Sequence, residues 1–419
     1  MTGFKKNQPL KLIDCVTFVV TMFFIAYYFL RLFGFFIDAI TFVIPLMIAI
    51  MYMLITINWK EKVLEYILGI IVLIAGMVLV EVLCTDSLSF AAYVSMFTQL
   101  FMDMFPLYLA YTILKANNRK LILWILAAIF VLLAYVLVLT FVELGKDDQF
   151  MREMGINYTN YRLYNTTNAG GFQFAYAMAI LIGLLISLFL LPYKNYSKLK
   201  KLCILFILVA SFLLVLNSSY TLALMICVIS IFIAITLKIE KTINKVVFCL
   251  VGALLCLGLL SFSDQIVSLA PTEEMKIRLS EVFSFIKSGD ASGHNLNGRF
   301  TLYWEAIKAF FRSPLIGNAH LGFDPHSSIL RFFAEDGILG GVGYVTLYYL
   351  AYRIILKYFI GETKKKIFMP VFVSLILMGL VNPIHSVGAV HYIVFLVAPL
   401  VVSLVEIEED KDGKVPLGD

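Results

Sequence analysis

Long apolar runs recur along this chain, and each is long enough to cross a lipid bilayer. A transmembrane helix needs about 20 apolar residues, because the hydrocarbon core is about 30 Å thick. Such runs are found at 13–30, 36–57, 64–84, 88–114, 121–142, 171–192, 202–217, 219–237, 246–262, 337–356, 367–381 and 387–405. With 61% hydrophobic and 15% charged residues, the 419-residue chain has too little polar surface for a water-soluble protein. We therefore predict an all-α integral membrane protein with about twelve transmembrane helices.

Lysine and arginine are concentrated in alternate connections between these runs, which is typical of cytoplasmic loops. Both termini are therefore predicted to be cytoplasmic. The same bias accounts for the formal charge of +5 and suits anionic lipid headgroups, so no nucleic-acid partner is needed. The predicted organisation is transmembrane helices 1–9 in 1–262, including an outward loop at 143–170; a long outward loop with short amphipathic helices at 263–336; transmembrane helices 10–12 in 337–405; and a cytoplasmic tail at 406–419.

The long outward loop carries a helical aromatic stripe. Residues 273–287 are predicted to form one helix, and the Gly/Ser/Asp/Asn-rich stretch 288–297 a linker. Phe300, Trp304, Ile307 and Phe311 then recur at helical spacing, which predicts a helix lying on the outer leaflet. Arg299 falls in the first turn of that helix, where a cation is unfavourable, so an anionic partner is expected.

Further along the same loop, Asp324-Pro325-His326 has the form of a helix start. The pattern predicts Asp324 as the N-cap, proline at the first helical position and the histidine in the first turn. The positive end of that helix would keep His326 neutral near pH 7 and able to accept a proton. Arg331 and Glu335 would share one helix face, so Glu335 is either half of an ion pair or a contact for an acceptor.

Other polar residues stand near the predicted membrane surfaces. Arg162 precedes the helix that begins near residue 171 and has no carboxylate neighbour in sequence; it is either a snorkelling anchor or a site for an anion. His391 is predicted to be an ordinary interfacial residue. Asp103 lies inside an apolar run, which is costly unless it faces the bundle interior, and an arginine is one candidate for its packing partner.

Five short segments of the long loop carry a resemblance to a known family. They are Gly298-Arg299, Trp304, Pro314-Leu315-Ile316-Gly317, His326-Ser327 and Glu335-Asp336-Gly337. Their order and spacing resemble the signature of the O-antigen ligase and O-antigen polymerase family of bacterial membrane glycosyltransferases. The chain departs from that pattern in two places: Ser327 stands where the family more often has asparagine, and Gly317-Asn318-Ala319 stands where it has Gly-x-Gly.

The resemblance implies an enzyme of the bacterial cytoplasmic membrane that serves O-antigen, capsule or exopolysaccharide assembly. Its donor would be a glycan on undecaprenyl diphosphate, used at the outer leaflet without a metal, a nucleotide sugar or another cofactor. His326 would act as the catalytic base, and Arg162 and Arg299 would bind the diphosphate, because guanidinium groups can stabilise it bidentately. Residues for acceptor binding or for structure would be Glu335, Arg312, Arg331, His385 and Asn168.

The sequence leaves several functions open. A polymerase would move the growing chain onto another lipid-linked repeat unit, and a ligase would move the finished chain to a different acceptor. We favour polymerase by association with family members of this size. A flippase for lipid-linked oligosaccharides or a scaffold of an export complex remain the alternatives. Expected partners are the lipid-linked donor and acceptor, membrane lipid, and a chain-length regulator or flippase.

Overall fold

A computed structural model describes residues 9–30, 38–84, 90–151, 168–191, 197–288, 294–318, 324–384 and 387–405. Within these ranges every regular element is helical, which confirms the predicted all-α fold. The α-helices are α1 Leu12–Phe29, α2 Asp38–Thr56, α3 Lys62–Cys84, α4 Phe90–Lys115, α5 Arg119–Leu144, α6 Phe172–Phe189, α7 Lys198–Asn217, α8 Thr221–Lys238, α9 Thr242–Ser261, α10 Ser263–Ser268, α11 Glu273–Ser288, α12 His294–Arg312, α13 Ser328–Ile354, α14 Lys365–Val381, α15 Gly388–Tyr392 and α16 Ala398–Ser403.

The helices have the length and apolar composition of membrane spans. In the described part of the chain, 8 helices are long and apolar enough to cross a bilayer. Two shorter apolar segments, Val43–Thr56 and Gly388–Ser403, add to them. In the second, a π-helical stretch at Ile393–Val397 joins α15 to α16. A helix satisfies its backbone hydrogen bonds internally, which is why the apolar runs adopt this form in lipid.

Helix α6 lies at the centre of the bundle. Its span is 78% buried, and it packs against α7, α8 and α14. Small residues allow this close approach: a Cβ at Gly183 would stand 3.1 Å from the Ser230 hydroxyl of α8. Helix α9 is the opposite case, because none of its span is buried within the protein. Its leucine and valine side chains are therefore left to contact lipid.

Several connections between helices that carry lysine lie at one end of the bundle. The Lys115 ammonium, at the end of α4, lies 2.7 Å from the Glu61 carboxylate in the α2–α3 connection. Lys364, just before α14, donates to the carbonyl of Ser403 at 2.9 Å, near the end of α16. Lys357, between α13 and α14, donates to the Tyr66 hydroxyl at 3.4 Å near the start of α3 and joins these two contacts. Three connections that are distant in sequence and rich in positive charge thus share this end.

The two long loops lie at the opposite end of the bundle. The Tyr220 hydroxyl, between α7 and α8, donates to the Met151 carbonyl at 2.9 Å in the first loop. Ser219 and Thr272 share a hydrogen bond of 2.9 Å, which ties the start of α8 to the second loop. Thr272 also accepts from the backbone N–H of Met275 at 3.1 Å and so caps α11, whose helical conformation was predicted.

Two of the five signature segments, Pro314-Leu315-Ile316-Gly317 and Glu335-Asp336-Gly337, are held against each other by hydrogen bonds between neighbouring backbone groups. The N–H of Ile338 donates to the Pro314 carbonyl at 2.8 Å, and the N–H of Asn318 donates to the Ala334 carbonyl at 3.1 Å. Gly317 and Gly337 both have positive φ, 76° and 65°, and Gly337 introduces a kink into α13. The Pro-Leu-x-Gly turn is therefore seated at the kink, and the glycines allow the two backbones to touch.

We expect Gly317→Ala to destabilise the protein by about 2–4 kcal/mol, because a side chain would add left-handed strain and collide with the Glu335 backbone. Thermal unfolding in lipid nanodiscs measures the effect. The control is Gly298→Ala, since a Cβ at Gly298 meets nothing within 4 Å. Alanine there should be neutral or slightly stabilising within a helix. Equal unfolding temperatures for both variants would contradict the docked turn.

Candidate functional site

The segment around His326 starts α13 differently from the prediction. The helix begins at Ser328, and its N-cap is Ser327, whose hydroxyl accepts from the Leu330 N–H at 3.2 Å. The predicted capping by Asp324 is therefore wrong. Instead, the Asp324 carboxylate accepts from the His326 backbone N–H at 2.8 Å and closes a local turn. This turn holds His326 at a φ of 51°, outside the helix.

The same aspartate also faces the histidine ring. Nδ1 of His326 lies 3.5 Å from Oδ2 of Asp324, and the two side chains are 45% and 48% exposed. The contact is long and half-exposed, but a carboxylate beside Nδ1 favours a proton on that nitrogen and leaves Nε2 unprotonated in the neutral ring. Nε2 is thus the nitrogen placed to accept a proton from a bound hydroxyl.

Arg299 reaches the C-terminal end of α14. Helix α12 begins at His294, earlier than predicted, so Arg299 lies in its second turn and not in its first. Its guanidinium donates to the Val381 carbonyl at 3.4 Å, and the Tyr303 hydroxyl donates to the same carbonyl at 3.1 Å. A helix C-terminus carries unpaired carbonyls and partial negative charge. Among the described residues, this helix end replaces the predicted anionic partner.

Several charged groups surround Tyr303. Burial raises the pKa of Tyr303, the nearby Arg299 charge lowers it, and Asp324 raises it. Burial lowers the pKa of Arg278, Glu281 opposes this effect, and Arg299 adds to the lowering. Arg278 also donates to Glu274 at 2.8 Å. Two guanidinium groups therefore lie within electrostatic range of each other at this end of the bundle. Arg278 is neutralised by Glu274 and Glu281, at 2.8 and 3.3 Å, so Arg299 is the guanidinium whose charge is available to an anion.

Asn382 ends α14 beneath these groups and is buried. Its carbonyl accepts from the N–H of Ser328 at 3.1 Å, and its side chain is hydrogen-bonded to Tyr176 of α6, which also interacts electrostatically with Arg299. Within the described ranges its Nδ2 has no hydrogen-bond partner. Asn382, Tyr303 and Arg278 were not selected from the sequence, because nothing near them in the chain marks them as neighbours of Arg299.

The other predicted site residues are distributed more widely. The Arg331–Glu335 ion pair is confirmed, with Nε and Oε2 2.6 Å apart. Arg312 is exposed at the far end of α12, about 20 Å along the helix from Arg299. Asn168 adopts a φ of 53° shortly before α6. Arg162 and His385 lie outside the described residues.

The bundle interior contains an aspartate–histidine pair that the sequence did not predict. Asp103 of α4 and His391 of α15 are buried, and Oδ1 and Nδ1 are 3.2 Å apart. Asp103 thus faces the bundle interior but pairs with a histidine and not with an arginine, and the interfacial position predicted for His391 is wrong. Each residue stands inside an apolar run. This position in an apolar run could have indicated that the two residues pair, because ionisable residues in lipid usually pair with one another.

These observations define a polytopic all-α membrane protein with a polar, cation-bearing site at the end of its bundle where the long loops meet. In the described ranges, no group of three or more His, Cys, Asp or Glu side chains could hold a metal ion. A scan against protein-family models finds no match, and neither does a search of curated proteins. The motif and the geometry of the site are therefore the basis for assigning a function.

Proposed function

We propose that this protein is a polysaccharide repeat-unit polymerase. It would transfer a glycan chain from undecaprenyl diphosphate to a hydroxyl of an acceptor lipid-linked repeat unit, at the outer face of the bacterial cytoplasmic membrane. The reaction would be inverting and would need no metal.

One observation carries this proposal: the two motif residues best suited to the chemistry approach the same helix end. Arg299 donates to Val381 in the last turn of α14. The segment of His326 is anchored there too, because the neighbouring Ser327 hydroxyl donates to the Gly379 carbonyl at 3.3 Å. An anion-binding group and a base on opposite sides of one substrate are what a glycosyl transfer from a diphosphate requires.

Arg299 would stabilise the leaving group. When the bond between the anomeric carbon and the diphosphate oxygen breaks, its electron pair remains on the diphosphate. Arginine carries five N–H donors in a planar fork, and the bond to Val381 uses one of them. The remaining donors would hold the developing charge, and Arg162 is proposed as a second such group.

His326 would activate the acceptor. Nε2 takes the proton of the acceptor hydroxyl while that oxygen attacks the anomeric carbon, and Asp324 stabilises the resulting imidazolium. Because attack comes from the face opposite the leaving diphosphate, the configuration at the anomeric carbon inverts. The proton leaves to solvent through the exposed ring.

The proposed topology has about twelve transmembrane helices with both termini in the cytoplasm. It is supported by the contacts at the two ends of the bundle. The lysine-bearing connections of Lys115 and Lys364 share one end, whereas the long loops share the other. The aromatic stripe of α12 supports it as well: Phe300, Trp304 and Phe311 are exposed and can enter the outer leaflet.

The lipid-linked glycans of a deletion strain test the function. We expect single repeat units to accumulate on the carrier at the outer leaflet if the protein is a polymerase. Full ladders held on the carrier would identify a ligase instead. Loss of units from the outer leaflet would identify a flippase, the alternative favoured by the buried Asp103–His391 pair, because such pairs also mark transport pathways.

We expect His326→Ala to lower the transfer rate by about 100-fold or more, since general base catalysis contributes about 10²–10⁴-fold. Asp324→Asn should cause a smaller loss, because it removes the orienting charge but keeps the base. Transfer by purified protein in nanodiscs measures both. Full activity of the His326→Ala variant would remove this residue from the proposed mechanism.

A further inference from the structure

The buried Asp103–His391 pair takes no part in the proposed transfer. Asp103 is 2% exposed and His391 is fully buried, in a bundle of apolar helices. His391 Nδ1 lies 3.2 Å from the carboxylate and 3.3 Å from the Val387 carbonyl, so this nitrogen carries a proton and donates. The second carboxylate oxygen, Oδ2, has no hydrogen-bond partner within the described ranges.

The charge of the pair depends on one proton. If the imidazole is neutral, the carboxylate leaves a net negative charge buried among apolar side chains, which is strongly unfavourable. If Nε2 is also protonated, the imidazolium and the carboxylate neutralise each other. The described ion pairs give Asp103 no other cation. A neutral pair therefore holds one further proton, on the carboxyl or on Nε2. Within the described ranges a proton on Oδ2 would have no acceptor, whereas a proton on Nε2 can be donated to the Tyr348 hydroxyl at 2.8 Å, which favours the doubly protonated ring.

A chain of buried hydroxyl groups leads away from Nε2. This nitrogen lies 2.8 Å from the Tyr348 hydroxyl, and the hydroxyls of Tyr348 and Tyr344 are 3.1 Å apart. Tyr344 is hydrogen-bonded to the Ser328 side chain. The Ser328 hydroxyl in turn donates to the Asn382 carbonyl at 3.4 Å, at the base of the candidate site.

We infer that the Asp103–His391 pair is a proton-binding site inside the membrane, and that its occupancy sets the direction of the hydrogen bonds reaching Ser328. This inference does not depend on the transferase proposal. With the proton bound, Nε2–H donates to Tyr348, Tyr348 donates to Tyr344, and Tyr344 donates to Ser328. Ser328 then directs its own proton to Asn382, as the structure shows.

Loss of the proton reverses this order. Neutral Nε2 is an acceptor, so Tyr348 turns its proton toward the imidazole and accepts from Tyr344. Tyr344 then no longer donates to Ser328, and the Ser328 hydroxyl becomes the donor to Tyr344 at the expense of Asn382. One proton leaves the imidazolium, and every hydroxyl remains neutral. The bond between the start of α13 and the end of α14 is thereby weakened.

The other titratable groups around the pair are tyrosines. Tyr28 of α1, Tyr344 and Tyr348 of α13, and Tyr392 of α15 all interact electrostatically with Asp103. The Tyr392 hydroxyl has no hydrogen-bond partner in the described ranges. Neutral tyrosines cannot supply the missing positive charge. Among the described groups, proton binding by the Asp103–His391 pair is therefore what neutralises this cluster.

The protonation state can be measured on the full chain in lipid nanodiscs with ¹⁵N-labelled histidine. The chain has 5 histidines, and the His391 signals are those lost in His391→Gln. We expect an imidazolium at neutral pH that becomes neutral as the pH rises, and a neutral ring at neutral pH in Asp103→Asn. A ring that is already neutral at neutral pH in the wild type would overturn the inference.

Hydrogen exchange tests the connection to Ser328 and does not require a variant of the ion pair. In the wild type, high pH should lower the protection of the Ser328 amide about tenfold relative to intrinsic base-catalysed exchange, the effect of losing roughly one hydrogen bond. Tyr348→Phe should abolish this pH effect, because Tyr344 then keeps donating to Ser328 and Ser328 keeps its bond to Asn382. Tyr352→Phe is the control and should retain the pH effect, because Tyr352 lies one turn away and contacts Met369 instead. The same loss of protection at high pH in Tyr348→Phe as in the wild type would refute the connection.

Discussion

Replacing Arg299 by alanine is expected to lower glycan transfer by at least about 100-fold and to leave single repeat units on the lipid carrier. Removing one preplaced donor from a developing negative charge costs about 10²–10³ in rate, and a guanidinium supplies charge as well. Chain growth is measured with purified protein in nanodiscs and a lipid-linked donor. The folded state should survive, because the bond from Arg299 to Val381 is long, at 3.4 Å, and Tyr303 also donates to that carbonyl.

Lys308→Ala is the matched control for this variant. Lys308 lies on the same helix, is exposed, and pairs with Glu305 at 2.8 Å and not with α14. Both variants remove one positive charge from α12, so a general electrostatic effect would lower both activities equally. Normal polymer from Arg299→Ala, or an equal loss in both variants, would contradict a specific role for Arg299.

Replacing His391 by alanine is expected to destabilise the bundle by about 3–5 kcal/mol, the usual effect of removing one partner from a buried ion pair. The Asp103 carboxylate would remain buried without its cation, and the Tyr348 hydroxyl would lose its 2.8 Å hydrogen bond. Unfolding in mixed micelles with increasing denaturing detergent measures the change. A loss below about 1 kcal/mol would show that the pair contributes little.

The double replacement Asp103→Leu with His391→Leu separates charge from packing. Apolar residues in place of a buried pair are often neutral or stabilising, so the double variant should recover most of the stability lost in the single one. It should also lose the pH dependence of Ser328 amide protection relative to intrinsic exchange, because no proton site remains. If the double variant is as unstable as His391→Ala, the defect is one of packing and not of unpaired charge.

Much of the fold could be predicted because hydropathy and length act locally. The runs that became α5, α7 and α8 were placed within a few residues of their observed ends, since lipid requires a helix of fixed length. Helix starts were harder to predict. Both Asp324 and Ser327 suit an N-cap, and the choice depended on the contact of Ser327 with the Gly379 carbonyl in a distant helix.

The candidate site was only partly predictable, for a similar reason. Arg299 and His326 stand out within one short stretch of sequence, whereas Arg299 and its acceptor Val381 are 82 residues apart. Asp103 and His391 are still farther apart, and each alone resembles an isolated polar residue in an apolar run. Pairings of this kind depend on which helices become neighbours, and local patterns do not determine that.

Helix α9 has a consequence for how the sequence can vary. Because none of its span is buried within the protein, side chains that face away from α8 need only be apolar, and their shapes matter little. Exchanges among leucine and valine at those positions should leave folding unchanged, whereas Phe248, whose ring stacks on Phe232 of α8, should be more sensitive. A fluorophore attached at the exposed Cys249 would report the fluidity of the surrounding acyl chains, since the label would sit among hydrocarbon tails.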